Sequence, residues 1–142
     1  MKWGGAVLIF AVVLGGCAAN PFPPSEVPDV FSALVGTWDE VHANSCKNSH
    51  VISFDDKKTT MFVTYVEQGW VTDDDGRKVF RYDILSAAQH SLRVQLENEP
   101  RLDGDGKPVV WHITTIDRHT YCWGRDDWPQ GACTPPRKRC GI

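Results

Sequence analysis

The chain has 142 residues, of which 42% are hydrophobic and 23% are charged, and its formal net charge is −3. This length suits one domain with one core and excludes two cores. The acidic balance argues against a face that binds nucleic acid. The cationic run Arg137-Lys138-Arg139 lies in a Pro-rich tail, where we interpret it as a solvated end.

The first residues have the pattern of a secretory signal. Lys2 supplies a positive charge, and residues 6–14 form an unbroken apolar run of nine residues. Such a run is too short for a transmembrane helix, which needs roughly 20 apolar residues. It matches the apolar region of a signal peptide, which has about 7 to 15 residues. Two small residues, Gly15 and Gly16, follow and precede Cys17.

The sequence Leu14-Gly15-Gly16-Cys17 resembles the lipobox of bacterial lipoproteins. The resemblance implies that Cys17 receives a diacylglycerol, that the chain is cut before it, and that the new amino group is acylated. Two acyl chains anchor a protein stably to a membrane. Ala18 stands where an Asp would retain the protein at the inner membrane, so the resemblance favours the periplasmic face of the outer membrane. The alternative is an ordinary secretory signal with a chance cysteine.

Four segments follow from this pattern. Residues 1–16 form the signal peptide, and residues 17–29 form a lipid-anchored tether that contains four prolines. Such a tether is extended and has no core. Residues 30–125 form the globular domain, and residues 126–142 form a Cys- and Pro-rich tail.

Period-2 alternation dominates the domain and predicts an all-β fold. The helical candidate is an apolar segment at residues 30–35, before Gly36. Predicted strands lie at 37–42, 51–54, 59–67, 69–72, 78–85, 91–97, a segment that Pro108 opens, and 120–123.

Seven or eight short strands joined by hairpins form a meander, which hides its edges best by closing on itself. We therefore predict a small antiparallel up-and-down barrel, with a two-sheet sandwich as the alternative. In the barrel, five apolar side chains on the inward faces of two strands are candidates to line a ligand cavity: Phe80, Tyr82, Ile84, Leu92 and Val94.

Gly36-Thr37-Trp38 resembles the G-x-W motif that opens the first strand of lipocalins and of their bacterial lipocalin-like relatives. The resemblance implies that Trp38 closes the base of the barrel. It also implies that an arginine near the end of the last strand packs across this tryptophan, and Arg125 matches that position. A guanidinium stacked on an indole ring is favourable, because the ring face attracts a cation. The chain departs from lipocalins in being shorter and in lacking an obvious C-terminal helix.

Four cysteines remain once Cys17 is assigned to the lipid: Cys46, Cys122, Cys133 and Cys140. An even number in an oxidising compartment predicts two disulfides, and three pairings are open. The spacing lacks a C-x₂-C pair and disfavours zinc. A closed barrel places Cys46 and Cys122 toward opposite rims, farther apart than the roughly 7 Å between Cα atoms that a bond allows. Each would then bond to the tail through Cys133 or Cys140, whereas a sandwich relaxes this constraint.

The sequence contains no nucleophile, zinc-protease, P-loop or dinucleotide motif, and we expect neither catalysis nor a cofactor. His112 and His119 flank a hairpin with Asp117 between them, but surface histidines on strands are the simpler interpretation. The acidic loops at 73–76 and 103–106 are explained by turn chemistry rather than by calcium.

These observations predict a non-enzymatic, lipid-anchored binding protein of the bacterial envelope that takes a small apolar ligand inside its barrel. The alternative is a protein-interaction module, an assembly accessory or an inhibitor of a periplasmic enzyme, that binds through Trp70 or Trp128. Trp128 has the simpler interpretation that it packs the tail onto the barrel.

Overall fold

The protein is a closed, eight-stranded, antiparallel up-and-down β-barrel with one short helix. The computed structural model describes residues 29–40, 46–65 and 78–141. In chain order the elements are α1 (Val30–Leu34), β1 (Gly36–Glu40), β2 (Ser49–Phe54), β3 (Thr60–Tyr65), β4 (Val79–Ala87), β5 (Ser91–Leu96), β6 (Trp111–Thr115), β7 (Thr120–Arg125) and β8 (Arg137–Arg139). Each strand pairs with the next, and β8 pairs with β1. The all-β barrel is therefore confirmed, and the sandwich is excluded.

The closing strand β8 comes from the tail. Trp38 pairs with Arg139, and Tyr121 pairs with Arg137, so three residues bridge β1 and β7. The predicted domain boundary at residue 125 was wrong, because the tail supplies part of the barrel wall. The interpretation of the cationic run as a solvated end was also wrong, since Arg137 and Arg139 are half-buried and only Lys138 is exposed.

The barrel interior is packed near α1. Eight fully buried side chains from six strands form the core with Val30 and Leu34 of the helix: Trp38, Ile52, Met61, Val63, Leu92, Val94, Ile113 and Tyr121. Burying an apolar side chain of this size stabilises a fold by about 1.5 to 3 kcal/mol. The strong alternation of β2, β3 and β5 places these residues on the inner face.

Helix α1 closes one end of the barrel. The Asp29 side chain caps it by accepting a hydrogen bond from the backbone N–H of Ser32 at 2.8 Å. The indole N–H of Trp38 donates to the carbonyl oxygen of Leu34 at 2.8 Å and fixes the helix to β1. Within the described residues, no helix is long and apolar enough to cross a membrane.

The two ends of the barrel therefore differ. We call the end covered by α1 the helix end. The opposite end, the far end, is where β3 is connected to β4, β5 to β6, and β7 to β8. Because the strands alternate in direction, the last residue of β3 and the first residues of β4 and β6 lie at the far end. These are the positions of Tyr65, Val79 and Trp111.

Candidate ligand-binding site

Trp38 and Arg139 close the helix end. The Arg139 guanidinium lies 4.2 Å from the centre of the Trp38 ring. The assignment of this role to Arg125 was wrong, because Arg125 lies over the rings of Trp111 and Trp128 instead. The physical reason is that β7 is not the last strand. The arginine at the end of β8 takes the place that the resemblance to lipocalins implies.

Five aromatic side chains line the inside of the barrel toward the far end. We call them the aromatic lining: Tyr65, Phe80, Tyr82, Trp111 and Trp123. The ring of Tyr65 lies 5.5 Å from that of Phe80, and the ring of Tyr82 lies 5.5 Å from that of Trp123. Trp111 meets Trp123 edge to face at 6.1 Å. These are ordinary distances for favourable aromatic pairs.

The aromatic lining is only half-buried, although all of its members face inward and pack against the core. Among the predicted lining residues, Phe80, Tyr82 and Ile84 keep this partial exposure. Leu92 and Val94 are fully buried, so they belong to the packed core and do not face an accessible space. The aromatic rings are therefore less enclosed than the core beneath them.

Three members of the lining were not predicted as ligand contacts: Tyr65, Trp111 and Trp123. Alternation places each on the inner face of its strand, but alternation does not give height along the barrel. Their height follows from strand register, in which Trp111 pairs with Arg125 near the ends of β6 and β7. Register between distant segments is not visible in a short sequence window.

Paired charges surround the rim of the far end. The Arg101 guanidinium donates to both oxygens of Glu99 at 2.5 and 3.0 Å, and Glu99 also accepts from the Trp111 indole N–H at 2.9 Å. The Glu99 side chain is only 1% exposed, and these hydrogen bonds hold its pKa below the usual value despite its burial. Arg125 donates to both oxygens of Asp127 at 2.8 and 2.6 Å.

His50 lies in the interior between the core and the aromatic lining. It is 3% exposed, and its Nε2 is 2.5 Å from the hydroxyl oxygen of Tyr121. Its Nδ1 is enclosed and has no hydrogen-bond partner within the described residues. Burial, reinforced by the charge of Arg137, lowers the pKa of His50 to about 4. His50 and Tyr121 are 71 residues apart, so no local sequence pattern signals this pair.

His50 makes the stability of the barrel depend on pH. Between pH 6.5 and about 4 the unfolded chain binds a proton at this histidine while the folded protein does not. Acidification through this window therefore lowers the free energy of unfolding, by about 3 kcal/mol for this one group. Urea titrations at pH 7 and pH 4.5 measure the loss.

The variant His50→Gln lacks the titrating group and is expected to lose less stability than the native chain between these two pH values. His90→Gln changes an exposed histidine and serves as the matched control. If His50→Gln loses as much stability on acidification as the native chain, His50 is not the cause of the pH dependence.

A groove of about 430 Å³ lies on the outer surface, between β6, β7 and the tail. Its walls include His112, Thr114 and Trp128. The His112 Nε2 contacts Asp126, which also accepts from Arg93 at 2.5 Å. Trp128 is half-buried and meets the ring of Trp111 edge to face at 6.3 Å, so it packs the tail onto the barrel.

The structure does not bring together the histidine pair that flanks the β6–β7 hairpin. His112 contacts Asp126, whereas the Asp117 side chain accepts from the backbone N–H of His119 at 2.7 Å in the turn after β6. Among the described residues, no three His, Cys, Asp or Glu side chains are placed to hold a metal ion together.

Two disulfides fix the tail to the barrel, as the barrel arrangement predicts. Cys46 bonds to Cys140, with Cα atoms 6.0 Å apart, and Cys122 bonds to Cys133, with Cα atoms 5.8 Å apart. The first links the segment before β2 to the end of β8. The second links β7 to the tail segment between β7 and β8. Cys17 and Trp70 lie outside the described residues.

The chain matches no protein-family model, no curated protein and no solved structure.

Proposed function

We propose that the protein is a non-enzymatic, lipid-anchored binding protein of the bacterial cell envelope whose barrel takes a small apolar ligand at its far end. The supporting observation is the aromatic lining, which faces inward and yet stays half-buried. Ligand sites are mostly apolar concavities with a few placed polar groups. The helix end, by contrast, is packed and closed.

The proposed location at the membrane depends on Cys17. Its lipobox-like context supports diacylglycerol attachment, and the tether at residues 17–29 then joins the lipid to α1 at the helix end. In this arrangement the tether enters at the end opposite the aromatic lining. Intact-mass analysis of protein from membranes tests the anchor, and an unprocessed, unacylated N-terminus would overturn it.

Ligand binding is tested with the apolar fluorescent probe N-phenyl-1-naphthylamine. The native protein is expected to bind the probe, and Phe80→Glu is expected to weaken binding at least tenfold, because the ligand would have to desolvate a charge. Arg81→Glu is the matched control, since Arg81 lies on the same strand and is exposed. Circular dichroism verifies that both variants fold. Absence of probe binding to the native protein, or equal binding by both variants, would contradict the proposal.

A protein-interaction module is the second candidate, and the outer groove beside Trp128 favours it. Deletion of residues 126–142 does not test it, because the deletion removes β8 and Cys140 with the groove. Trp128→Ala is a better variant. Under this alternative it abolishes capture of an envelope protein after crosslinking and co-purification from membranes, while probe binding in the barrel stays unchanged.

A further inference from the structure

Two hydrogen-bond donors of the aromatic lining have no partner in the part of the chain that the structure describes. Within the described residues, neither the hydroxyl group of Tyr82 nor the indole N–H of Trp123 makes a hydrogen bond. Neither atom is among the fully enclosed polar atoms that lack a partner, so both keep some solvent exposure. The two rings lie 5.5 Å apart with an interplanar angle of 39°.

The Trp111 indole N–H is already occupied, because it donates to Glu99. Tyr65 makes a further interaction of its own and is not counted among the vacant groups. An indole N–H donates and never accepts. The rings that carry the two vacant donors project from β4 and β7, which are not neighbouring strands, and they meet across the barrel. The donors therefore call for an acceptor atom, such as an oxygen, and not for a further donor.

The charges near Tyr82 do not favour a charged ligand. Glu99 and Arg101 are the charged groups that act on its hydroxyl, and they are bonded to each other through two hydrogen bonds. Burial raises the pKa of Tyr82 above its usual value, so its hydroxyl keeps its proton and donates at neutral pH. An anion entering this space would lose its hydration without gaining an unpaired cation beside Tyr82.

From this arrangement we infer that the ligand is an uncharged, ring-containing molecule whose acceptor oxygen binds the Tyr82 hydroxyl and the Trp123 indole N–H. The inference rests on the proposed function, since it specifies the ligand of the same site. Aromatic walls accept a planar ring by offset stacking or by edge-to-face contact. The oxygen sets the orientation of the ring, and a carboxylate is disfavoured because the charged groups that act on Tyr82 among the described residues are paired with each other.

Three probes of matched shape test this inference by equilibrium dialysis at pH 7: 2-isopropylnaphthalene, 2-acetylnaphthalene and 2-naphthoate. The first has no acceptor, the second has a neutral carbonyl oxygen, and the third is an anion. The native protein is expected to bind 2-acetylnaphthalene about tenfold more tightly than either of the others, because two hydrogen bonds of ordinary strength separate it from the apolar probe.

Tyr82→Phe is expected to reduce the preference for 2-acetylnaphthalene over 2-isopropylnaphthalene to about threefold or less, with binding of the apolar probe nearly unchanged. Tyr121→Phe is the matched control, because the Tyr121 hydroxyl is enclosed and contacts His50. If the native protein binds none of the probes, the proposed function fails. If it binds 2-isopropylnaphthalene as tightly as 2-acetylnaphthalene, or binds 2-naphthoate most tightly, the proposed function stands and this inference is overturned. Equal preferences in native protein and Tyr82→Phe also overturn it.

Discussion

Replacing both Cys46 and Cys140 by serine is expected to lower the free energy of unfolding by about 4 to 5 kcal/mol. The two residues are 94 apart in sequence, so their bond removes a large loop entropy from the unfolded chain. Cys140 directly follows β8, which has only three residues and a short ladder to each neighbour. Urea denaturation of the oxidised proteins at pH 7 measures the loss.

The double variant of Cys122 and Cys133 provides the comparison. These residues are only 11 apart, so the same entropy argument predicts a loss of about 3 kcal/mol. Strand β7 is also held by five pairings to β6 that do not depend on this disulfide. Equal losses in the two double variants, or a larger loss for the second one, would show that the long loop does not determine the stability of the closed barrel.

The fold was predictable where the hydrophobic pattern is strong. From Phe80 to Ile84 in β4 and from Leu92 to Leu96 in β5 every second residue is apolar, and both strands appear within two residues of the predicted bounds. Strand β8 has no such pattern, because its three residues are all cationic. It is held by a disulfide and by hydrogen bonds to distant segments. These interactions depend on the assembled barrel and leave no periodicity in the sequence.

The candidate site was predictable in part for the same reason. Alternation shows that Phe80 and Tyr82 face inward, and the structure places both in the aromatic lining. Ile84 and Val94 pair across the two strands, but Ile84 is half-buried and Val94 is fully buried. Alternation alone does not predict this difference in burial. That distinction depends on which level of the barrel is filled by the core. His50 and its contact with Tyr121 follow only from three-dimensional packing.

Arg139→Ala is expected to lower the free energy of unfolding by about 3 kcal/mol, because one guanidinium donates to three carbonyl oxygens from two separate segments of the helix end. It donates to the carbonyl oxygens of Ala33 at 2.5 Å, Val35 at 2.9 Å and Arg118 at 3.0 Å. It also covers the ring of Trp38, and the alanine variant loses that cation–π contact. Thermal and urea denaturation measure the change.

Arg139→Lys and Arg125→Ala separate the possible causes. Lysine keeps the charge but lacks the planar fork that reaches three carbonyl oxygens, so it should restore only part of the lost stability. Arg125 forms a rim ion pair with Asp127 and lies over Trp111 and Trp128, so its loss should cost much less stability than the loss of Arg139. A larger loss of stability for Arg125→Ala than for Arg139→Ala would show that Arg125, and not Arg139, closes the helix end of the barrel. Gly36 supports the role of Arg139 independently, because a Cβ atom at this position would collide with the Arg139 guanidinium. The glycine of the G-x-W motif also has a φ of +139°, which residues with a side chain rarely adopt, so backbone conformation and the packed arginine both favour glycine here.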